Sequence, residues 1–279
     1  MVVDTGRNRN KHSGVFVISS ILIAVAALSV FVPSAFAEKS VYAGMEFFDW
    51  REYGGGSQLL EETGQRYVIG YERLTEGNLG LLLGYDARIY GNAVDYDGQT
   101  QSGVPITSKT DYFGWIIEPS AHFRTQPKWT GVYRLDYIFN LGIDHWTRDL
   151  KSTATAKGYK EIYTVIYFRI GAEAALPSKK GFHGGGGIKL PIDVYEKAFL
   201  SSAGFSRDPI LKPAGGLSFY GTLGYRFMGR FNLSAYYESY RFNASPSVTA
   251  IYLPDATMRF IKQPESIQQN YGIKLSFYF

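Results

Sequence analysis

The chain closes on Asn270-Tyr271-Gly272-Ile273-Lys274-Leu275-Ser276-Phe277-Tyr278-Phe279, in which Tyr271, Ile273, Leu275, Phe277 and Phe279 take every second place. Successive side chains of a strand point to opposite faces, so this segment has one apolar face and one face of Asn270, Gly272, Lys274, Ser276 and Tyr278. Such a strand suits a wall between lipid and a polar interior. The same pattern recurs upstream. From Val132 to Trp146, Tyr133, Leu135, Tyr137, Phe139, Leu141 and Ile143 share one parity, while Arg134, Asp136, Asn140 and Asp144 share the other. Leu79, Leu81, Leu83 and Tyr85 oppose Asp86 and Arg88. Leu217, Phe219, Leu223, Tyr225 and Phe227 oppose Ser218, Tyr220, Thr222 and Arg226.

Ten stretches of this kind are predicted: 40–50, 65–73, 79–90, 110–124, 132–146, 161–175, 183–194, 214–227, 231–243 and 269–279. The connectors run to about 14, 5, 19, 7, 14, 7, 19, 3 and 25 residues, within the boundary error of strand prediction. Long and short alternate, as in outer-membrane barrels, whose surface loops grow while the turns on the other side stay tight. The short connectors hold turn formers: Glu76-Gly77-Asn78, Gln126-Pro127-Lys128, Pro177-Ser178-Lys179-Lys180-Gly181 and Met228-Gly229-Arg230. The expected fold is all-β, an antiparallel up-and-down transmembrane barrel of ten strands, with eight or twelve as alternatives. A soluble β-sandwich explains the alternation too, but not so apolar a face. Trp50, Tyr53, Tyr90 and Trp146 at strand ends, with Trp129 in a short turn, read as interfacial aromatic girdles.

Composition points the same way. Tyr (22), Phe (19) and Gly (31) favour strands and turns. Cys is absent, which removes disulfides, thiolate metal sites and a Cys nucleophile. Four His leave little material for a His-rich metal site, and no cofactor is expected. Residues 1–37 read as a cleaved secretory signal peptide for the Sec route, with an uncleaved anchor as the alternative. Arg7, Arg9 and Lys11 precede the apolar run 15–32, and Ala35 and Ala37 supply the cleavage site. The expected mature domain, 38–279, keeps 26 of 29 basic and 24 of 25 acidic residues. That balance gives no footprint for nucleic acid.

The closing strand, with its terminal Phe279, resembles the assembly signal of the Gram-negative outer-membrane β-barrel family. The resemblance implies insertion by the barrel-assembly machinery and residence among outer-membrane lipid and lipopolysaccharide.

With the apolar parity set outward, the interior receives Glu46, Glu72, Asp86, Glu118, Asp136, Asp144, Glu173, Asp193 and Glu238. It also receives Arg88, Arg124, Arg134, Arg169, Lys189, Arg226 and Lys274. Near balance favours a mutually paired network that plugs a narrow lumen, whereas an ion-selective channel wants a lining of one sign. General porins use about 16 to 18 strands, more than this chain can supply. A narrow channel for small solutes is the remaining transport alternative.

Two enzymatic readings compete with a non-enzymatic scaffold. Ten strands is also the count of the omptins, outer-membrane proteases with a pair of acids and an Asp/His pair at the rim. Here Asp95-Tyr96-Asp97 and Asp144-His145 look similar in elements but not in arrangement. In the omptins one residue separates acid from His, and both come from the fourth surface loop. Asp144 and His145 are adjacent and border the third, so period-2 geometry sends them to opposite faces, Asp144 inward and His145 outward. A lipid-modifying barrel would need a Ser and a His together. Ser120 and His122 share a face with Glu118 beyond, yet a step of about 7 Å per two residues predicts them too far apart for a relay. The run Gly184–Gly187 precedes no helix, so it reads as a bend or bulge rather than a phosphate cradle. The apolar residues of the last two long loops, among them Phe199, Leu200, Phe205, Ile210 and Leu211, with Pro246, Pro254 and Pro264, point to partner or envelope contact.

Overall fold

The structure is a computed structural model and describes residues 37–77, 80–99, 103–125, 134–176 and 180–279. The signal segment with Ala35 lies outside the described residues, as do Leu79, 126–133 with Trp129, and 177–179; Ala37 opens the first strand.

The chain runs through β1 (Ala37–Gly54), β2 (Ser57–Glu76), β3 (Leu81–Gln99), β4 (Pro105–Thr125), β5 (Arg134–Leu150), β6 (Lys160–Ala175) and β7 (Gly181–Ala198). Then come β8 (Ile210–Leu211), β9 (Ala214–Gly216), β10 (Ser218–Phe227), β11 (Phe231–Asn243), β12 (Val248–Tyr252), β13 (Thr257–Ile261) and β14 (Glu265–Tyr278). Each wall strand pairs antiparallel with its neighbours, β7 pairs with β10, and β14 returns to β1 from Ser40↔Tyr278 to Tyr53↔Glu265. The wall is therefore a closed ten-stranded up-and-down barrel, with β9 and β10 sharing the eighth place. Closure satisfies every strand edge, which an open sheet cannot do in lipid.

The parity read from the sequence sets the faces. Met45, Phe47, Tyr67, Ile69, Phe139, Ile170, Leu223 and Ile273 are exposed on the outside, forming an apolar belt. Towards the end carrying the longer loops the outside turns charged: Arg51 bonds Glu61 at 2.9 Å, Lys109 bonds Asp95 at 2.6 Å and Lys151 bonds Asp149 at 2.7 Å. Wall above that level lies clear of the apolar belt.

Strands run farther at this end than alternation predicts. The first connector, expected to span about 14 residues, is the pair Gly55-Gly56, with φ of +60° and +84°. Positive φ at both places is what a two-residue hairpin turn demands and what glycine supplies without strain. β3 and β4 likewise extend to Gln99 and from Pro105, leaving 100–104 between them. Beyond an apolar belt both faces of a strand can be polar, so the apolar alternation stops before the strand does. Two long connectors remain, 199–213 and 244–264. The latter carries the β12–β13 hairpin, whose Ala250 and Ile261 pack with Ala198, Leu200 and Leu211 in a second, smaller core.

Two expectations about β7 change. Gly184–Gly187 pair in regular register with β6 and β10, with no bulge. The register shift lies higher, opposite Ile166/Tyr167, where Asp193 pairs with Ile166 and Pro191 with Tyr167. One extra residue reverses parity, so Asp193 leaves the lumen side and Val194 and Glu196 take it. Inward glycines elsewhere accept rings from adjacent strands. A Cβ on Gly70, Gly142 or Gly272 would meet the ring of Tyr42, Tyr167 or Tyr236 respectively. These tyrosines lie flat along the inner wall because the neighbouring strand has no side chain there.

Candidate functional site

The lumen divides into two unlike halves. Near the short turns it holds a polar cavity of about 310 Å³, lined among others by Glu72, Asp86, Arg134, Asp136, His183 and Lys274. Towards the long loops it is filled. Trp50 of β1 and Tyr163 of β6 come from opposite walls, five strands apart either way round, and their ring centres are 5.7 Å apart. Trp146 stacks on Tyr163 at 4.8 Å, Phe242 meets Trp50 at 6.0 Å, and Tyr240 meets Phe242 at 5.4 Å. Each of the five is at most 1% exposed. Trp50, Tyr90 and Trp146 are thus lumen residues and not girdle residues, because they share the inward parity of Glu46, Arg88 and Asp144.

The predicted interior charges, Asp193 excepted, lie on the inner face, and most meet partners from other strands. In the belt region Arg66 donates from Nε to Glu46 at 2.9 Å, and Arg88 bonds Glu238 at 2.7 Å. Arg169 joins Glu118 at 3.0 Å to Glu238 at 3.1 Å. Lys189 is fully buried, 3.8 Å from Glu238 and 3.6 Å above the Tyr240 ring. Asp144 accepts the hydroxyls of Tyr90 at 2.7 Å and Tyr240 at 3.0 Å. Around the cavity Lys274 bonds Glu72 at 2.7 Å, the Tyr42 hydroxyl bonds Asp86 at 2.8 Å, and His183 faces Glu173 at 3.0 Å. Arg124 donates to Asp136 at 3.1 Å, with Arg134 at 3.4 Å, and Arg226 reaches Glu38 at 3.2 Å.

A second cluster, beside the ring stack and near the long loops, escaped sequence reading. Arg148 donates to Glu62 at 3.0 Å, Glu52 at 3.2 Å and Glu161 at 2.7 Å, and Glu196 stands beside them, 1% exposed. Glu52 also accepts Trp50 Nε1 at 3.0 Å and Gln263 at 3.1 Å, while Glu62 accepts Thr110 at 2.7 Å and the Tyr112 hydroxyl. Burial first, then the carboxylates of Glu161 and Glu52, push Glu196 well above the ordinary carboxylate range. Burial raises Glu52 too, against the pull of Arg148. The signal was present: Glu52 and Arg148 continue the parities of Glu46 and Asp144, past the places where apolar alternation stops.

The enzymatic candidates fall as follows. Asp95 is exposed on the outer wall with Lys109, and Asp97 is exposed on the same face. His145 also faces outward, stacked on Trp115 at 5.3 Å, with Nδ1 2.9 Å from the Thr164 hydroxyl. Asp144 points inward, so no acid–His pair forms at the rim from these residues. Ser120 and His122 correct the expectation: Oγ and Nε2 are 3.2 Å apart. Strand side chains lean along the strand, closing a gap that the Cα spacing leaves open. Among the described residues no carboxylate bonds the other ring nitrogen. Glu118 is engaged by Asn140, Tyr167 and Arg169 instead. No group of three or more His, Asp or Glu is placed to hold a metal ion among the described residues.

No protein-family model matches the chain, and no curated protein matches it in sequence. Among solved structures it is similar to the outer membrane protease OmpT from Escherichia coli. The TM-score is 0.53 at 11% identity, over 88% of this chain and 98% of that one. The chain has the outer-membrane β-barrel fold. The transport unit of the autotransporter AIDA-I from Escherichia coli matches at a TM-score of 0.44 and 9% identity, over 94% and 98%. An outer membrane channel from Pseudomonas putida F1 matches at 0.41 and 10%, over 89% and 97%. At such identities the likeness concerns fold alone, and the two scores below 0.5 add nothing to it.

Proposed function

We propose that this chain spans the outer membrane as a closed, non-conducting barrel and acts as a scaffold for the structure built on its long-loop end. The apolar belt, the signal-like leader and the fold all favour that location. Closure rests on one observation, the contact of Trp50 with Tyr163 from opposite walls, 5.7 Å apart. Rings so close leave no path for a hydrated solute, and the paired charges below them lack the single sign of a selective pore. Above the ring stack the β12–β13 hairpin turns Ala250 and Ile261 to the barrel and leaves Ile251, Met258 and Phe260 exposed. That face offers contact to an envelope partner or to lipopolysaccharide, and the alternating strand ending in Phe279 is the element for the barrel-assembly machinery. Planar-bilayer recording of the purified chain near neutral pH tests closure. No stable conductance is expected; large, sustained steps would defeat the closed-lumen reading.

A further inference from the structure

The cluster around Arg148 is out of electrical balance. Four carboxylates, Glu52, Glu62, Glu161 and Glu196, surround one guanidinium, and all five residues are at most 5% exposed. Glu196 Oε2 and Arg148 Nη2 are buried without a hydrogen-bond partner among the described residues. Among the described residues that act most strongly on Glu196, Arg148 is the one cation. β6 presents Glu161 and Tyr163, β1 presents Glu52, and β5 presents Arg148. Tyr96 and Tyr159 stand around the same carboxylates, and Tyr112 bonds Glu62. The segment before β14 adds the neutral Gln263. β8 pairs Glu196 with the apolar Leu211. Lys197 has the opposite parity and lies over the Phe199 ring, 4.7 Å from its centre.

Resting on the closed-lumen reading, we propose that this cluster is a proton-dependent lock: the upper lumen stays shut while the surplus carboxylates carry protons and loosens when they give them up. Like charges sharing a dry site cannot all ionise, so protons must stand in for the missing cations. Three of the carboxylates are also structural contacts, Glu62 through Arg148, Thr110 and Tyr112. Glu52 ties β1 to Arg148 of β5 and to Gln263 under the hairpin, and Glu161 ties β6 to the same guanidinium. Mutual repulsion would therefore part the walls where Trp50, Trp146 and Tyr163 meet. The direction of the pH effect follows from Glu52 and Glu196, both raised by burial. Carboxyls raised in the closed state stabilise it fully below the ordinary carboxylate range and lose that contribution as pH rises through their raised values. The lock is shut by acid and released by alkali.

Planar-bilayer recording of the full chain from about pH 6 to about pH 10 tests this, since each proton released shifts the open-to-closed ratio by up to about tenfold per pH unit. The wild type should be silent at the acid end and conduct increasingly towards the alkaline end. Glu196→Gln, which keeps the shape without the charge, should stay silent to higher pH; if it does not fold, Glu52→Gln makes the same test. A wild type silent at every pH would overturn the lock and leave the closed lumen standing. Conduction already at the acid end would overturn both. An alkaline rise unchanged in folded Glu196→Gln and Glu52→Gln would place the proton elsewhere and sink the proposal.

Discussion

Replacing Arg66 by Met should be among the most damaging single changes inside the barrel. The guanidinium is 2% exposed, donates to Glu46 from Nε at 2.9 Å and to Asn270 at 3.2 Å, and lies 4.1 Å from the Phe48 ring centre and 4.5 Å from that of Tyr90. Methionine keeps much of the apolar stem but leaves Glu46 a buried charge with one remaining donor, the Tyr236 hydroxyl at 2.8 Å. Breaking a buried pair this way costs about 3–5 kcal/mol, or about 150- to 5,000-fold in the ratio of folded to unfolded barrel. Most of that is the penalty of the stranded charge, not the worth of the bond. The double replacement Arg66→Met with Glu46→Gln should therefore recover a large part of the loss, with a coupling of about 2 kcal/mol. Urea unfolding of the barrel folded into lipid vesicles, read by tryptophan fluorescence, gives both quantities. A loss below about 1 kcal/mol in the single variant, or a double variant no more stable than the single, would refute the reasoning.

Gly142→Val would drive a side chain into the Tyr167 ring. It should destabilise by about 1–3 kcal/mol in the same assay, and by less in a Tyr167→Ala background where the ring is gone. His145→Ala removes an outward ring whose contacts are Trp115 and Thr164. It should move stability by less than about 1 kcal/mol. Intact cells carrying the wild type should cleave no basic peptide; cleavage present in the wild type and abolished in His145→Ala would restore the protease reading.

Period-2 parity was legible in the chain because it is local. Residues i and i+2 share a face wherever a strand stays regular, so the ten wall strands, the outward belt and the inward Glu46, Arg88, Asp136, Glu238 and Lys274 could be placed without knowing what they touch. The same parity puts Trp50 and Trp146 inside with Glu46 and Asp144, but their position near strand ends led to the girdle reading that the structure corrects. Strand ends were the poor part. Glu52, Glu62, Arg148 and Glu196 lay beyond the last apolar alternation, in wall that no longer needs an apolar face, and so passed for loop; Glu161 opened a predicted strand, but nothing local joined it to them.

From the sequence by itself came an all-β barrel with a charged interior and no cysteine, since composition, alternation and turn residues act over a few positions at a time. Tertiary structure alone decided that Trp50 meets Tyr163, that one arginine holds three of four glutamates, and that Ser120 reaches His122. It also decided that an extra residue opposite Ile166 turns Asp193 out and Glu196 in. These depend on ring closure, stagger between strands and the direction in which each side chain leans. Such quantities join residues as much as 113 positions apart, as Trp50 and Tyr163 are, and leave no mark on the pattern around either one.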